Sequence, residues 1–150
     1  MRDASTLSMH SALKANAELV RKIASQKLGV DASYDEAGVR WLDDFLNRQR
    51  QHGTAESKEK LPQTLGSFLG ECIIGTYGGL WVFDETLQSW SVSFSDGNCV
   101  YPFSKVSKQL ESGDGESVLS LFTAIPLVFG PRLKQSAATE IQKKSWWRLW

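Results

Sequence analysis

The sequence predicts an α+β fold: an N-terminal helical pair, then a helix packed on a small three-stranded antiparallel sheet, with further short helices after it. Three observations carry this expectation. Two N-terminal segments repeat apolar residues at three- and four-residue steps. Within residues 65–103 the apolar period then switches from helical to alternating. Glycine stands at each place in that segment where the chain turns or backbones approach. With 150 residues, 41% of them apolar, the chain is long enough to bury a single sizeable core.

The first helix is expected over 8–28, where Leu13, Ala17, Val20 and Ala24 form a stripe flanked by Ile23 and Leu28. Gly29 stands where a left-handed cap is expected. A second helix follows Ser33, with Ser33 and Glu36 at capping-box spacing. Its buried face reads Tyr34, Gly38, Trp41, Leu42, Phe45 and Leu46. Residues 51–60 hold no large apolar side chain and read as a loop.

A third helix is expected over 64–74. Leu65, Phe68, Leu69 and Cys72 share one face, and Gly66 and Gly70 lie on an adjoining stripe open to close packing. Gly75, Gly78 and Gly79 end it. Strands follow at 80–83, 89–94 and 98–101, the last two joined by a turn at Ser95-Asp96-Gly97-Asn98. In the middle strand Trp90, Val92 and Phe94 read as buried, and Ser91, Ser93 and Ser95 as wet. Phe68, Leu69, Trp81, Trp90 and Phe94 are expected in one core. Pro102 stops ladder pairing. Short helices are expected over 104–111, burying Val106 and Leu110, and over 116–124, burying Val118, Leu119 and Phe122 ahead of Pro126. The organisation is then 1–60, a helical pair and loop within the same fold; 61–130, the α+β core; and 131–150, a tail.

The pattern in 65–125 resembles a family of small, mostly bacterial domains that has no assigned activity. It runs Leu65-Gly66 with Gly70-Glu71, Gly78 with Trp81, Pro102-Phe103 with Val106, and Gly113 with Ser117, Val118 and Phe122. A looser similarity links the layout to toxin-immunity-like proteins. The resemblance implies a bacterial protein and supplies no catalytic residues. The narrowest function it suggests is an immunity or antitoxin-like role. A cytoplasmic location is expected separately, from the lack of a signal-peptide run and of a membrane span.

Seventeen basic and seventeen acidic side chains cancel, so no global field advertises a nucleic-acid partner. The N-terminal residues lack the apolar run of a signal peptide, and no run reaches the about 20 apolar residues of a membrane span. Cys72 and Cys99 are the only cysteines and read as two thiols in a reducing compartment, an isolated bridge between them being the other possibility. His10 and His52 have no metal-ligand spacing, and neither metal nor cofactor is expected.

Glu71 is the one residue that invites a catalytic reading, as a partly buried carboxyl acting with Asp84, Glu85 or Asp96. The structural reading places it on a backbone amide or a basic side chain, fixing its helix against the hairpin. On that reading Gly66, Gly70, Glu71, Trp81, Trp90 and Pro102 are structural and there is no catalytic set. Binding is expected instead from the tail, where Trp146, Trp147 and Trp150 lie among Arg132, Lys134, Lys143, Lys144 and Arg148 against Glu140 alone. Tryptophans of this kind suit docking, either back onto the protein's own domain or onto a protein partner. Contact with an anionic membrane surface is the weaker expectation. Non-catalytic protein binding is thus the expected function, with a hydrolase using Glu71 or a membrane-associated accessory protein as the alternatives.

Overall fold

In the computed structural model, residues 4–95, 97–113 and 117–128 are described. The chain runs α1 (Ala4–Leu28), α2 (Glu36–His52), α3 (Ala55–Tyr77), β1 (Leu80–Asp84), β2 (Ser89–Ser93), β3 (Cys99–Val100), α4 (Pro102–Glu111) and α5 (Val118–Val128). The fold is α+β, with an antiparallel sheet in the order β1-β2-β3. The tail, with Trp146, Trp147 and Trp150, lies outside the described residues, as does Asp96.

α1 buries Leu13, Ala17, Val20 and Ala24. It closes where the Val30 amide reaches Ala24 O at 3.0 Å around Gly29, whose φ is +67°. The next helix starts two residues later than the capping-box reading placed it. Asp35, not Ser33, is its N-cap and accepts from the Gly38 amide at 3.2 Å. Ser33 instead donates its hydroxyl to Asp35 at 2.6 Å, and Glu36 pairs with Arg40. Both residue types cap well, and geometry decides: the Asp35 carboxylate lies in reach of the Gly38 amide at the positive end of the helix, while the Ser33 hydroxyl is engaged as a donor to it.

The loop expected over 51–60 is helical apart from a two-residue break at Gly53 and Thr54. α2 runs on to His52, and α3 spans 55–77 rather than 64–74. Thr54 caps α3 by accepting from the Ser57 amide at 3.1 Å. Glu56 lies in its first turn and pairs with Lys60 at 2.9 Å. Lys58 Nζ donates to Arg50 O, at the end of α2, at 2.8 Å. These turns are held by caps and charges on a solvated surface, so they need no apolar stripe.

Beyond Pro62 the helix enters the core, and every residue from Leu65 to Gly70 is buried. Phe68, Leu69, Trp81, Trp90 and Phe94 all fall in a cluster that draws on all five helices and the sheet.

On the sheet, Trp81, Trp90, Val92 and Val100 face this cluster. Ser91 is buried instead of wet. The β2–β3 register carries Tyr101 to the position opposite Ser91, and its hydroxyl donates to Asp84 Oδ2 at 2.9 Å. The ring therefore crosses the outer face, while Ser91 Oγ donates to Val82 O.

Pro102 both follows β3 and opens α4 at its first position, two residues before the expected start. α5 begins at Val118 and continues through Pro126, where the sequence reading ended it at 124. A proline at 126 cannot donate to the carbonyl four residues back, that of Phe122. That carbonyl accepts from the Tyr77 hydroxyl at 3.0 Å, which lets the helix pass its proline. At the other end of α5, the buried Gln109 side chain accepts from the Val118 amide at 2.8 Å and donates to Asp43 and Asn47 of α2.

Candidate functional site

The glycine spacing on α3 has a direct use. A Cβ at Gly66 would lie 2.5 Å from Phe103 Cδ1, and one at Gly70 would overlap Trp81 Cη2 and Cζ2. Two aromatic rings from different elements thus rest on bare helix backbone one turn apart, their centroids 5.9 Å from each other. Glu71 stands beside the second ring, and its Oε2 accepts from Trp81 Nε1 at 2.8 Å. The partner is an indole, not the backbone amide or basic group expected from the sequence. The bond ties α3 to β1 and satisfies a donor on a ring that is 1% exposed.

Past Phe103 the aromatic surface opens into a groove of about 400 Å³. Met9, Ala12, Leu13 and Asn16 of α1 form one wall. Phe83, Gln88, Ser89 and Trp90, at the tip of the β1–β2 hairpin, form the other, with Gln63 and Phe103 between them. The Phe83 and Trp90 rings meet edge to face at 5.5 Å, and His10 packs on Trp90 at 6.0 Å. Gln88 has φ +51°, the one positive φ outside glycine among the described residues. Its side-chain Nε2 donates to Glu85 O at 2.7 Å. Side chains in that region cost about 1–3 kcal/mol and are found where surrounding structure fixes them. None of the ten lining residues carries a carboxylate, an ammonium or a guanidinium. The groove offers aromatic and aliphatic surface with the three amides of Asn16, Gln63 and Gln88.

A second cavity of about 380 Å³ lies across the sheet, lined by Cys99, Tyr101, Ser104, Lys105 and Lys108 among others. Here Cys99 Sγ donates to the Tyr101 hydroxyl at 3.5 Å, which in turn donates to Asp84. The hydrogen bonds with Cys99 and then Asp84 keep the phenol protonated well above its usual range. The Leu87 amide, followed by Tyr101, holds the Asp84 carboxyl below its usual range. Asp84 is therefore an acceptor already engaged.

The groups considered for chemistry do not converge. Glu71 serves Trp81, His10 lies on Trp90, and His52 is in the last turn of α2. Cys72 is fully buried, its thiol 3.7 Å from Ser33 O, and burial raises its pKa strongly. Both cysteines are free thiols. Among the described residues no group of three His, Cys, Asp or Glu could hold a metal ion, and no helix is long and apolar enough to cross a membrane.

Of the residues singled out in the sequence, Gly66, Gly70, Glu71 and Trp81 come together at one junction. Trp90 alone is in the groove wall, and Pro102 precedes the Phe103 that links junction and groove. Gln63, Gln88 and Phe83 were not singled out, and no spacing in the sequence connects them.

No protein-family model, curated protein or solved structure matches this chain.

Proposed function

We propose that this protein is a non-catalytic protein-binding domain, and that the groove between α1 and the β1–β2 hairpin takes uncharged aliphatic or aromatic side chains of a partner segment. The supporting observation is the character of the lining: an aromatic floor, three neutral amides and no ionisable side chain. Sites of this composition recognise apolar anchors and use a few polar groups to orient them. A charged ligand would lose its hydration there without gaining a counter-ion. The enzymatic alternative would use Glu71, whose observed bond to Trp81 Nε1 favours a fixing role. An immunity or antitoxin-like role would be the narrowest form of the proposed binding, and binding by the tryptophans of the tail is a separate expectation.

The test is selection of short peptides from a random display library on the full chain, with counter-selection on Ala12→Glu. Ala12 is an exposed wall residue, so this change charges the groove without opening the core. Selected peptides should carry aromatic or aliphatic anchors, and Ala12→Glu should weaken them at least about tenfold. Binding should hardly change between about 0.05 and 0.5 M salt. Recovery only of charged peptides with salt-sensitive binding, or equal binding to Ala12→Glu, overturns the reading. A measured turnover that Glu71→Gln abolishes while folding survives would replace it with the enzymatic one.

A further inference from the structure

The outer edge of β1 presents unpaired backbone among the described residues. The Phe94 amide donates to Asn98 O at 2.8 Å, so the even-numbered residues along β2 direct their backbone groups at β3. The odd-numbered Ser89, Ser91 and Ser93 then face β1, opposite Asp84, Val82 and Leu80. It follows that Trp81 and Phe83 point their N–H and C=O groups away from the sheet, at its free edge. Among the described residues nothing pairs with those four groups.

Natural edge strands are blunted by lysine, proline or a bulge. Leu-Trp-Val-Phe-Asp holds no lysine or proline, and it pairs with β2 residue for residue. Two side chains of its outer face are apolar and open, Leu80 at 66% and Val82 at 41% exposure.

We propose that this edge pairs antiparallel with β1 of a second copy, about a two-fold axis at Val82, giving a continuous six-stranded sheet. The edge is self-complementary in that register. Trp81 meets Phe83 of the copy and Phe83 meets its Trp81, so all four free backbone groups bond. Val82 faces Val82 across the axis, an apolar pair at the close, non-hydrogen-bonded spacing.

Charge selects the same arrangement. Parallel in-register pairing would set Asp84 beside Asp84. The antiparallel register brings each Asp84 opposite Leu80 and Glu85 opposite Gly79, four residue steps or about 14 Å from the other Asp84 along the strand. That exceeds the about 8 Å screening length at physiological salt. The chain's net charge of zero adds no long-range repulsion between copies. A five-residue edge falls short of the about 1,600 Å² of a standard interface, so the dimer is reversible and concentration-dependent.

Sedimentation equilibrium of the full chain should show a monomer–dimer equilibrium. Hydrogen exchange at the Trp81 and Phe83 amides should slow as protein concentration rises, a readout that needs no variant. Val82→Lys places two ammonium groups face to face on the axis and should weaken the dimer at least about tenfold. Leu80→Lys places a lysine opposite Asp84 of the copy, twice, and should hold or strengthen it. A generic apolar patch would lose from both changes. The proposal is overturned if the wild type stays monomeric up to about 1 mM or if Trp81 and Phe83 exchange is independent of concentration. It is also overturned if the two lysine variants weaken the dimer equally.

Discussion

Replacing Gly70 by alanine should destabilise the protein even though alanine is the better helix former. The new methyl would overlap Trp81 Cη2 and Cζ2 and approach Cε2 to 3.1 Å. The indole has little room to retreat, because it is 1% exposed, packed at a tilt against Phe103 and held at Nε1 by Glu71. Overpacking of this kind costs about 1–3 kcal/mol. If the ring tilts far enough to break its bond to the carboxylate, about 1.5–3 kcal/mol is added. The propensity gain from glycine to alanine returns about 1 kcal/mol. The net expectation is a loss of up to about 2 kcal/mol if that bond survives and about 1.5–5 kcal/mol if it breaks, or about 2–4 °C in melting temperature for each kcal/mol in a chain of this size. Urea denaturation followed by near-ultraviolet circular dichroism measures it. A second variant, Trp81→Phe, shrinks the ring that the methyl strikes. The double variant should therefore be more stable than the two single losses predict, by about 0.5–3 kcal/mol. Gly70→Ala with wild-type or higher stability, or strict additivity with Trp81→Phe, would refute the reasoning.

Glu71→Ala leaves the buried indole N–H without an acceptor and should cost about 1–3 kcal/mol, while Glu71→Gln keeps an acceptor and should cost less in the same titration. Tyr77→Phe strips the Phe122 carbonyl of the donor that stands in for Pro126, a loss of about 1–3 kcal/mol visible as a lower denaturation midpoint. Asp35→Ala should cost about 0.5–2 kcal/mol as loss of a cap, and more than Ser33→Ala. The Ser33 hydroxyl and then the Gly38 amide hold the Asp35 carboxyl below its usual range. Its stabilising contribution is therefore complete above the ordinary carboxylate pKa of about 4. It is lost as pH falls through the depressed value, so thermal melts of wild type and Asp35→Ala should converge in acid. Alkylation by iodoacetamide under native conditions should modify Cys99, which is partly exposed, well before Cys72, whose thiol burial keeps protonated; equal labelling in a mass spectrum would contradict the burial of Cys72.

Elements whose stability comes from burial were legible in the sequence. The stripe of Leu13, Ala17, Val20 and Ala24 and the alternation around Trp90 and Val92 name their own periods. The Gly66–Gly70 spacing announced close packing, although not that Phe103 and Trp81 would be the groups received. Elements held by polar contacts were not legible. The first turns of α3 rest on Thr54, Glu56 and Lys58, which carry no periodic signal. Ser33 and Asp35 are both good caps two residues apart, and only geometry separates them. Pro126 reads as a stop unless a phenol 45 residues before Phe122 takes up the Phe122 carbonyl that the proline abandons. The burial of Ser91 depends on Tyr101 crossing the sheet to Asp84, and a period-two pattern assigns that face to water. The groove was hidden for a similar reason, since Gln63, Gln88 and Phe103 converge only once α1 lies under the hairpin tip.

Gln109 bears on how the molecule assembles. Its amide must give hydrogens to Asp43 and Asn47 and accept one from Val118, so α2, α4 and α5 have to arrive together before the group is satisfied at 3% exposure. Any half-assembled state that buries it against two of those helices keeps a dry, unmatched dipole worth about 1–3 kcal/mol. Partial structures are thereby made poor resting places on the way to the native state, and loss of α5 by fraying is resisted by the same group. Glutamate at this position could not substitute: as a carboxylate it has no hydrogen to offer Asp43, and the two acids would repel.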